Sequence, residues 1–439
     1  MALITITRFR TVILKTVFLS AVITGVLPCH GQQPLSPSAK QTTIPATPVR
    51  SINPADTAFS DLQAFRQAVG NARIVLLGEQ THGEATTYEA KIRLVKFLHQ
   101  QMGFEVLAFE SGFYDCARIW ENTQNGAALS KEITGSLFYM YATSKQMAPL
   151  FDYLQSTVNK PRELTVAGFE SQHSGAKALN DLFPDFERFL QQKHPDLLQQ
   201  NWGLFKNLSV ATFKSRDNRP DTGDIRLFNE KLQVLQQTLA KDPAGSSSHL
   251  LQVSGFWLQV VNSIASQTSR YWGNVSGNEL SVRDLQMAEN LIWLAEKAYP
   301  GKKIIVWAHN IHVAKSTSGL IPPDDNTRAF LSTFKPMGAT VSEHFGAKAY
   351  VIGFTSAAGT FMDYVSGKIL PVPALKPGSL EAHLAATGHR WSFTDLRRKS
   401  PVLQQPLASA LFDYSPATGI WPAVYDGLFF IKTAAPVAR

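Results

Sequence analysis

Four short apolar runs in this chain each lead to an ionisable side chain, and this repeated pattern is the strongest constraint on the fold. The runs occupy residues 75–77, 106–109, 164–169 and 304–308. They are followed by the carboxylates and the imidazole of Glu79, Glu110, Glu170 and His309. Such runs are typical of strands that are buried on both faces of a parallel sheet. Because parallel sheets bind ligands at the carboxyl ends of their strands, we expect the four side chains to lie along one edge.

The segments between the strands have the periodicity of helices. Residues 86–101 repeat apolar side chains at three- and four-residue steps with basic side chains between them, and Gly103 follows as a C-cap. Further strands are expected at 349–354 and 425–431. This alternation predicts an α/β fold with a mainly parallel sheet, flanking helices and right-handed crossovers. Residues 175–300 are mostly helical in pattern, so we expect a helical insertion that caps the carboxyl-terminal edge of the strands.

The first 31 residues have the features of a secretory signal peptide. Basic side chains precede an apolar run at residues 16–27, which is short for a membrane span. Small residues before Gln32 fit a cleavage site, so we expect a periplasmic or secreted protein with no stable membrane span after processing. Acylation of Cys29 and a retained signal anchor are the alternatives, although Pro28 fits acylation poorly.

The remaining sequence divides into a leader and one large domain. Residues 32–54 are rich in Pro, Ser, Thr and Gln, a composition that indicates a flexible leader. Residues 55–439 are expected to form one α/β domain with its helical cap at about 175–300. The chain has 439 residues and is 44% hydrophobic, which is sufficient for a large core.

Charge and cysteine content exclude several classes of protein. The formal net charge is +8, and removal of the three basic side chains in residues 1–31 leaves +5. No long basic run accompanies this charge, so nucleic-acid binding is not expected. Cys29 and Cys116 are the two cysteines. A processed chain would keep Cys116 alone, which excludes an internal disulfide and a cysteine-based metal site.

Five side chains near the strand ends form the candidate catalytic site: Glu79, His82, Glu110, His309 and His312. A histidine is the usual general base near neutral pH, and a nearby carboxylate can fix its tautomer. Glycines on both sides of the Glu79–His82 segment let the backbone approach a ligand closely. The two later histidines could act as base and oxyanion donor, or could bind zinc together with a carboxylate.

The absence of other motifs narrows the chemistry. The sequence contains no G-x-S-x-G elbow, no H-E-x-x-H, no Walker A loop and no G-x-G-x-x-G fingerprint. Histidines and carboxylates without a side-chain nucleophile favour activated water, and therefore hydrolysis without a cofactor. Two alternatives stay open. One is a metal-dependent hydrolase in which His82, His309 or His312 binds a divalent ion with a carboxylate; the other is a non-enzymatic envelope protein that binds a metal or small ligand.

At these positions the chain resembles the erythromycin esterase family. The resemblance extends over about residues 55–435 and rests on an ordered set of motifs rather than on any single one. The motifs lie at residues 78–83 (GEQTHG), 103–104, 108–110, 168–172 (GFESQ), 283–290, 307–312 (WAHNIH), 350–354 and 359–360.

The resemblance implies a macrolactone or related ester hydrolase in which His82 activates water. The other four side chains of the candidate catalytic site carry over as its remaining residues. Substrate contacts are implied for Lys91, Glu170 and Arg283. Lys91 stands where arginine is typical of the resistance enzymes, and it keeps the charge but lacks the planar fork. Glu170 stands where aspartate is common. The implied ligand is a small-molecule ester or macrolide.

Overall fold

The computed structural model describes residues 44–242 and 249–439. The predicted signal peptide and residues 32–43 of the predicted leader lie outside the described residues. The strands are β1 (Thr47–Pro48), β2 (Ile74–Leu77), β3 (Phe104–Gly112), β4 (Thr165–Glu170), β5 (Lys303–Trp307), β6 (Ala349–Ser356), β7 (Thr360–Met362), β8 (Ile369–Pro371), β9 (Trp391–Asp395), β10 (Leu407–Phe412), β11 (Ser415–Gly419) and β12 (Gly427–Ile431).

Helices connect most of these strands. They are α1 (Gln63–Val69), α2 (Ala85–Met102), α3 (Phe113–Gln124), α4 (Leu129–Glu132), α5 (Tyr139–Thr143), α6 (Ala148–Thr157), α7 (Ala176–Asn180), α8 (Leu182–Lys193), α9 (Trp202–Lys214), α10 (Thr222–Leu239), α11 (Ser254–Tyr271), α12 (Glu279–Trp293), α13 (Asn310–Val313), α14 (Asp325–Thr333), α15 (Met337–Phe345) and α16 (Leu380–Ala385). A π-helical turn, Leu294–Ala298, extends α12.

Within the described residues, eight strands form one sheet in the order β1-β9-β12-β6-β2-β5-β3-β4. The six strands from β12 to β4 are parallel to one another. Strand β9 pairs antiparallel with β12 on one side and with β1 on the other. The prediction of an α/β fold with a mainly parallel sheet is therefore confirmed. The two short pairs β7-β8 and β10-β11 lie outside this sheet.

The central strand β2 shows why an uninterrupted apolar run forms here. Ile74 and Leu76 pack into the core on one face of the sheet, and Val75 and Leu77 pack into the core on the other face. All four side chains are fully buried. A strand with helices on both faces needs an apolar residue at every position, not at every second one.

The strand register brings the predicted site residues to one edge. Leu77 of β2 is aligned with Trp307 of β5, which is in turn aligned with Phe109 of β3. Gly168 of β4 is aligned with Phe109. A Cβ atom at Gly168 would lie 2.5 Å from the carbonyl oxygen of Ser111, so the close approach of β3 and β4 requires glycine there.

The predicted helix after the first strand is confirmed as α2. It ends at Gly103, whose φ of 72° is the left-handed conformation that a C-cap glycine provides. The segment predicted to form the cap contains α7 to α12. Asn290 of α12 donates to the carbonyl oxygen of Phe169, which ties this helix to the carboxyl end of β4.

Residues 44–54, predicted to belong to a flexible leader, contain a short strand and several buried side chains. Thr47 and Pro48 form β1, which pairs with β9 at the edge of the sheet. Ile44, Val49 and Ile52 are buried. The proline-rich composition is compatible with this place because an edge strand can tolerate a missing backbone donor. Among residues 44–242 and 249–439, no helix has the length and apolar character needed to cross a membrane.

Candidate active site

The carboxylate of Glu79 organises one half of the site. Its Oε1 accepts hydrogen bonds from His82 Nδ1 at 2.5 Å and from the Tyr141 hydroxyl at 2.9 Å. Its Oε2 accepts from Lys91 Nζ at 2.9 Å and from Trp307 Nε1 at 3.0 Å. We call these five residues the base cluster. Four donors converge on one fully buried carboxylate, so its position is fixed.

The charge of Glu79 determines the tautomer of His82. Burial alone would raise the pKa of Glu79. The charge of Lys91 and the hydrogen bond from His82 lower this pKa by more, so the net effect is a lowered pKa. The carboxylate is therefore ionised and acts only as an acceptor, which requires the proton of His82 to be on Nδ1. The other ring nitrogen, Nε2, makes no hydrogen bond within the described residues.

Aromatic side chains enclose the His82 ring. Its centroid lies 4.8 Å from that of Phe138 and 4.9 Å from that of Tyr364, and Tyr364 belongs to the loop between β7 and β8. The Tyr139 hydroxyl donates to the carbonyl oxygen of Tyr364, which holds this loop over the site. His82 is consequently only 6% exposed. An enclosure of this kind excludes bulk water and strengthens electrostatic interactions inside the site.

His309 faces His82 across the site, with 5.2 Å between the ring centroids. Its backbone N–H donates to Glu110 Oε2 at 2.8 Å, and its Nδ1 accepts from the backbone of Ile311 at 3.2 Å. A neutral His309 therefore carries its proton on Nε2. That nitrogen is buried 3.3 Å from Asp413 Oδ1 and has no hydrogen bond of good alignment within the described residues. Burial lowers the pKa of His309, but Asp413 raises it more.

His312 is held between two carboxylates. Its Nδ1 lies 2.9 Å from Asp284 Oδ2, and its Nε2 lies 3.3 Å from Glu110 Oε1 and 3.1 Å from Arg283 Nη1. Burial lowers the pKa of His312, whereas Asp284 and Glu110 raise it, and the net direction is upward. The Asp284 carboxylate is itself fixed by the backbone N–H of Met337 at 2.9 Å.

Arg283 connects the remaining carboxylates. It contacts Glu170 through Nε, at 3.0 Å, and through Nη2, and its Nη2 lies 3.3 Å from Glu110 Oε1. We call Arg283, Glu110, Glu170, His312 and Asp284 the arginine cluster. Burial raises the pKa of Glu110, but the charges of His312, His82 and Arg283 lower it to about 2. Glu110 is therefore ionised near neutral pH, and its carboxylate orients the His309 backbone.

The structure brings together the five side chains predicted to be catalytic. Glu170 and Arg283, predicted to contact substrate, lie beside them as an ion pair. Lys91, also predicted to contact substrate, is instead fully buried behind Glu79 and lies 4.1 Å from the centroid of the Trp307 ring. Burial lowers the pKa of Lys91 to about 8, although Glu79 opposes the shift. Lys91 holds the Glu79 carboxylate at 2.9 Å and has no exposed surface.

Sequence reasoning missed several residues of the site. Tyr141 and Tyr364 lie on helix α5 and on a surface loop, where no local pattern marks them. Asp413 approaches His309 from the turn between β10 and β11, and its φ of 46° is a left-handed conformation that aspartate tolerates better than most residues. The resemblance motifs included Asp284 beside Arg283, but nothing in the sequence assigned it to His312.

The metal-dependent alternative stays a prediction. Across the part of the chain that the structure describes, no group of three or more His, Cys, Asp or Glu side chains has an arrangement that could hold a metal ion. The ring nitrogens of His312 face Asp284, Glu110 and Arg283, and Nδ1 of His309 accepts a backbone hydrogen bond. Metal binding by these histidines would therefore require rearrangement of several contacts.

The erythromycin esterase family matches residues 99–434, and the chain belongs to this family. The confirmed membership agrees with the resemblance found in the sequence.

Two relatives share most of the chain. A protein named putative hydrolase YbfO, from Bacillus subtilis, is 26% identical over 405 residues, which cover 88% of this chain and 89% of that protein. Erythromycin esterase type II from Escherichia coli is 22% identical over 407 residues, which cover 88% of this chain and 95% of that protein. The family and these names indicate a hydrolase.

A solved structure shares the fold. A mutant of the erythromycin esterase EreC, in its open conformation, matches with a TM-score of 0.63 and 17% sequence identity. The match covers 88% of this chain and 96% of that one. At this identity the similarity establishes the architecture of the chain alone.

Proposed function

We propose that this protein hydrolyses an ester, and that His82 is the general base that activates water. The observation that carries the proposal is the orientation of His82: its Nδ1 is bound at 2.5 Å to the buried Glu79 carboxylate, and its Nε2 makes no hydrogen bond within the described residues. Within the described residues, no serine, threonine or cysteine side chain hydrogen-bonds to the His82 ring. Direct attack by water therefore fits the site better than a covalent intermediate.

The proposed reaction uses the two facing histidines. Nε2 of His82 removes a proton from water as the water oxygen forms a bond to the ester carbonyl carbon. The N–H at Nε2 of His309 donates to the carbonyl oxygen as negative charge develops there. The bond from carbon to the alcohol oxygen then breaks, and the protonated His82 returns its proton to the departing alkoxide.

The arginine cluster supports this chemistry without taking part in proton transfer. Glu110 accepts from the backbone of His309 at 2.8 Å, and Arg283 holds Glu110 at 3.3 Å. His312 closes the same network through Asp284 at 2.9 Å. We infer that these contacts keep the His309 ring directed toward the carbonyl oxygen, because a small misplacement of such a donor is costly for catalysis.

A macrolactone is the proposed substrate class. A relative named erythromycin esterase type II is 22% identical to this chain, and the specificity of an enzyme depends on pocket side chains that such identity does not preserve. The panel for the test should therefore contain a macrolactone, erythromycin, and a simple ester, 4-nitrophenyl butyrate, with butyric 4-nitroanilide as the amide control.

We expect the purified protein to hydrolyse at least one ester of the panel and to leave the anilide intact. A folded His82→Ala variant should lose this turnover. A folded protein that hydrolyses neither ester would contradict the proposed reaction for these substrates. Treatment with a chelator should leave the rate unchanged; a loss that added zinc restores would favour the metal-dependent alternative.

A further inference from the structure

An arginine near the proposed active site lacks the partners that a buried cation normally has. Arg270 lies in the last turn of α11 and is only 4% exposed. Its Nε and Nη1 atoms are buried, and neither makes a hydrogen bond within the described residues. Arginine is almost never buried without paired acceptors, because leaving its donors unsatisfied is costly. Two unsatisfied nitrogens on one guanidinium therefore suggest that its partner comes from outside the chain.

The surrounding charges identify Arg270 as the unpaired member of its group. Glu170 and Glu279 are the carboxylates whose charges act on Arg270. Glu170 is taken by Arg283 in a two-point ion pair, and both oxygens of Glu279 accept from Arg216 Nη2, at 2.5 and 2.6 Å. Both carboxylates are therefore already engaged by other arginines, and neither hydrogen-bonds to Arg270 within the described residues.

The orientation of α11 places Arg270 above the active-site edge of the sheet. On the same face of the helix, Gln267 Oε1 accepts from the backbone of His173, and the Tyr271 hydroxyl donates to Gln172 Oε1 at 2.9 Å. His173 and Gln172 belong to the loop that directly follows Glu170 of β4. Burial, followed by the charge of nearby Arg283, lowers the pKa of Arg270, in agreement with a cation that lacks compensation.

We propose that Arg270 binds an oxyanion, a carboxylate or a phosphate, that is carried by the substrate of this enzyme. The inference rests on the proposed ester hydrolysis and makes its substrate class more specific: the ester bears a negatively charged substituent on the side of Arg283 and the α11 helix. A guanidinium suits either anion because its N–H donors form charge-assisted hydrogen bonds with both.

The test compares two 4-nitrophenyl esters of similar length, the neutral butyrate and the negatively charged hemisuccinate. We expect Arg270→Gln to lower kcat/KM for the hemisuccinate roughly 10–100-fold more than for the butyrate, the scale of one charge-assisted hydrogen bond. Arg226→Gln is the matched control, because the Arg226 side chain is 66% exposed on α10 and pairs with Glu230. This control should not discriminate between the two esters.

A second arm separates the two anions and also separates this proposal from the proposed function. Calorimetry measures binding of succinate and of inorganic phosphate to the parent protein, to Arg270→Gln and to the charge-preserving Arg270→Lys. We expect the parent to bind one anion, the Gln variant to bind it roughly tenfold or more weakly, and the Lys variant to lie between them. The anion that binds identifies the substituent as a carboxylate or a phosphate.

The outcomes are distinct. If the parent hydrolyses neither ester but binds an anion through Arg270, the proposed function fails and the anion site stands. Equal losses on both esters in Arg270→Gln, or equal anion affinity in parent and variant, would overturn the anion site while leaving ester hydrolysis intact. A parent protein that binds neither anion and does not prefer the hemisuccinate would also overturn it. Should Arg270→Gln fail to fold, as judged by circular dichroism, the same comparisons apply to Arg270→Lys with a smaller loss.

Discussion

The base cluster and the arginine cluster lie at the same sheet edge, but their buried charges are compensated in different ways. In the base cluster, one carboxylate, Glu79, takes all four of its hydrogen bonds from neighbours and has one cation, Lys91, as its counter-charge. In the arginine cluster, Arg283 is shared between Glu110, Glu170 and His312. The first arrangement leaves one nitrogen free to react, whereas the second holds its groups in a network.

This difference predicts different consequences of mutation. A change in the base cluster should act on the chemical step, because it alters the protonation or orientation of His82. A change in the arginine cluster should act mainly on stability and on the position of His309, because its charges compensate one another. The following variants test that division, from the largest expected effect to the smallest.

Removal of the His82 imidazole should have the largest effect on turnover. We expect His82→Ala to lower kcat roughly 10²–10⁴-fold, the usual contribution of a general base, with little loss of folding. Steady-state kinetics on the ester that the parent hydrolyses measure this loss. His344→Ala is the control, because His344 is a partly exposed histidine that pairs with Glu296 far from the sheet edge. A parental rate in a folded His82→Ala variant would remove this histidine from the mechanism.

Neutralisation of the carboxylate behind His82 should have the next largest effect. Glu79→Gln keeps the shape of the side chain but no longer requires the proton of His82 to be on Nδ1. We expect kcat to fall on the order of 10²-fold while KM changes little. A loss of this size is usual when a residue that orients a functional histidine by a hydrogen bond is removed. A variant that loses affinity instead of turnover would mean that Glu79 shapes the pocket rather than the base.

The arginine cluster should affect how the free energy of unfolding depends on pH. The pKa of Glu110 in the folded state is about 2, below its ordinary 4.5. Its contribution to the free energy of unfolding is therefore complete above pH 4.5 and is lost as pH falls toward 2. At about 1.4 kcal/mol per pKa unit, the contribution is roughly 3 kcal/mol. Denaturant titrations between pH 5 and 3 should therefore show a weaker acid dependence for Glu110→Gln than for the parent.

Glu343→Gln controls for the loss of a carboxylate from the surface, since the Glu343 side chain is 67% exposed. Its acid dependence should follow that of the parent. If Glu110→Gln also followed the parent, the charge network of the arginine cluster would not stabilise the fold in the way described.

The smallest effect is expected when the cation of the base cluster is exchanged. Lys91→Arg keeps the charge beside Glu79, so we expect kcat to stay within about tenfold of the parent. The larger guanidinium must fit a fully buried position, so the free energy of unfolding should fall by about 1–3 kcal/mol. Chemical denaturation together with kinetics measures both values. A larger loss of turnover than in Glu79→Gln would show that Lys91 does more than hold the carboxylate.

The site residues that could be predicted from sequence are those at the carboxyl ends of the strands. Glu79, Glu110 and His309 each follow an apolar run, and parallel pairing then brings those strand ends together without further information. Helix α2 was predicted for the same reason, because its periodicity and Gly103 are local signals. Such features depend on residues that are neighbours in the sequence.

The remainder depends on contacts between distant segments. Lys91 has the pattern of a solvated helix position, yet the approach of Glu79 and Trp307 buries it completely. Asp413 reaches His309 from a turn roughly one hundred residues further along the chain, where no periodicity marks it. Residues 44–54 have the composition of a linker, but a few apolar side chains are sufficient to fix them to the sheet edge. In each case tertiary packing, rather than local preference, decided the outcome.

The central claim is that Glu79 acts through His82, and a double-mutant cycle tests it most directly. kcat is measured for the parent, His82→Ala, Glu79→Gln and the double variant on one ester, with folding verified for each. If the carboxylate serves only to orient the base, the double variant should be no slower than His82→Ala, because residues that act as a unit are not additive. A double variant slower than His82→Ala by the full factor lost in Glu79→Gln would contradict the claim, since Glu79 would then act independently of the histidine.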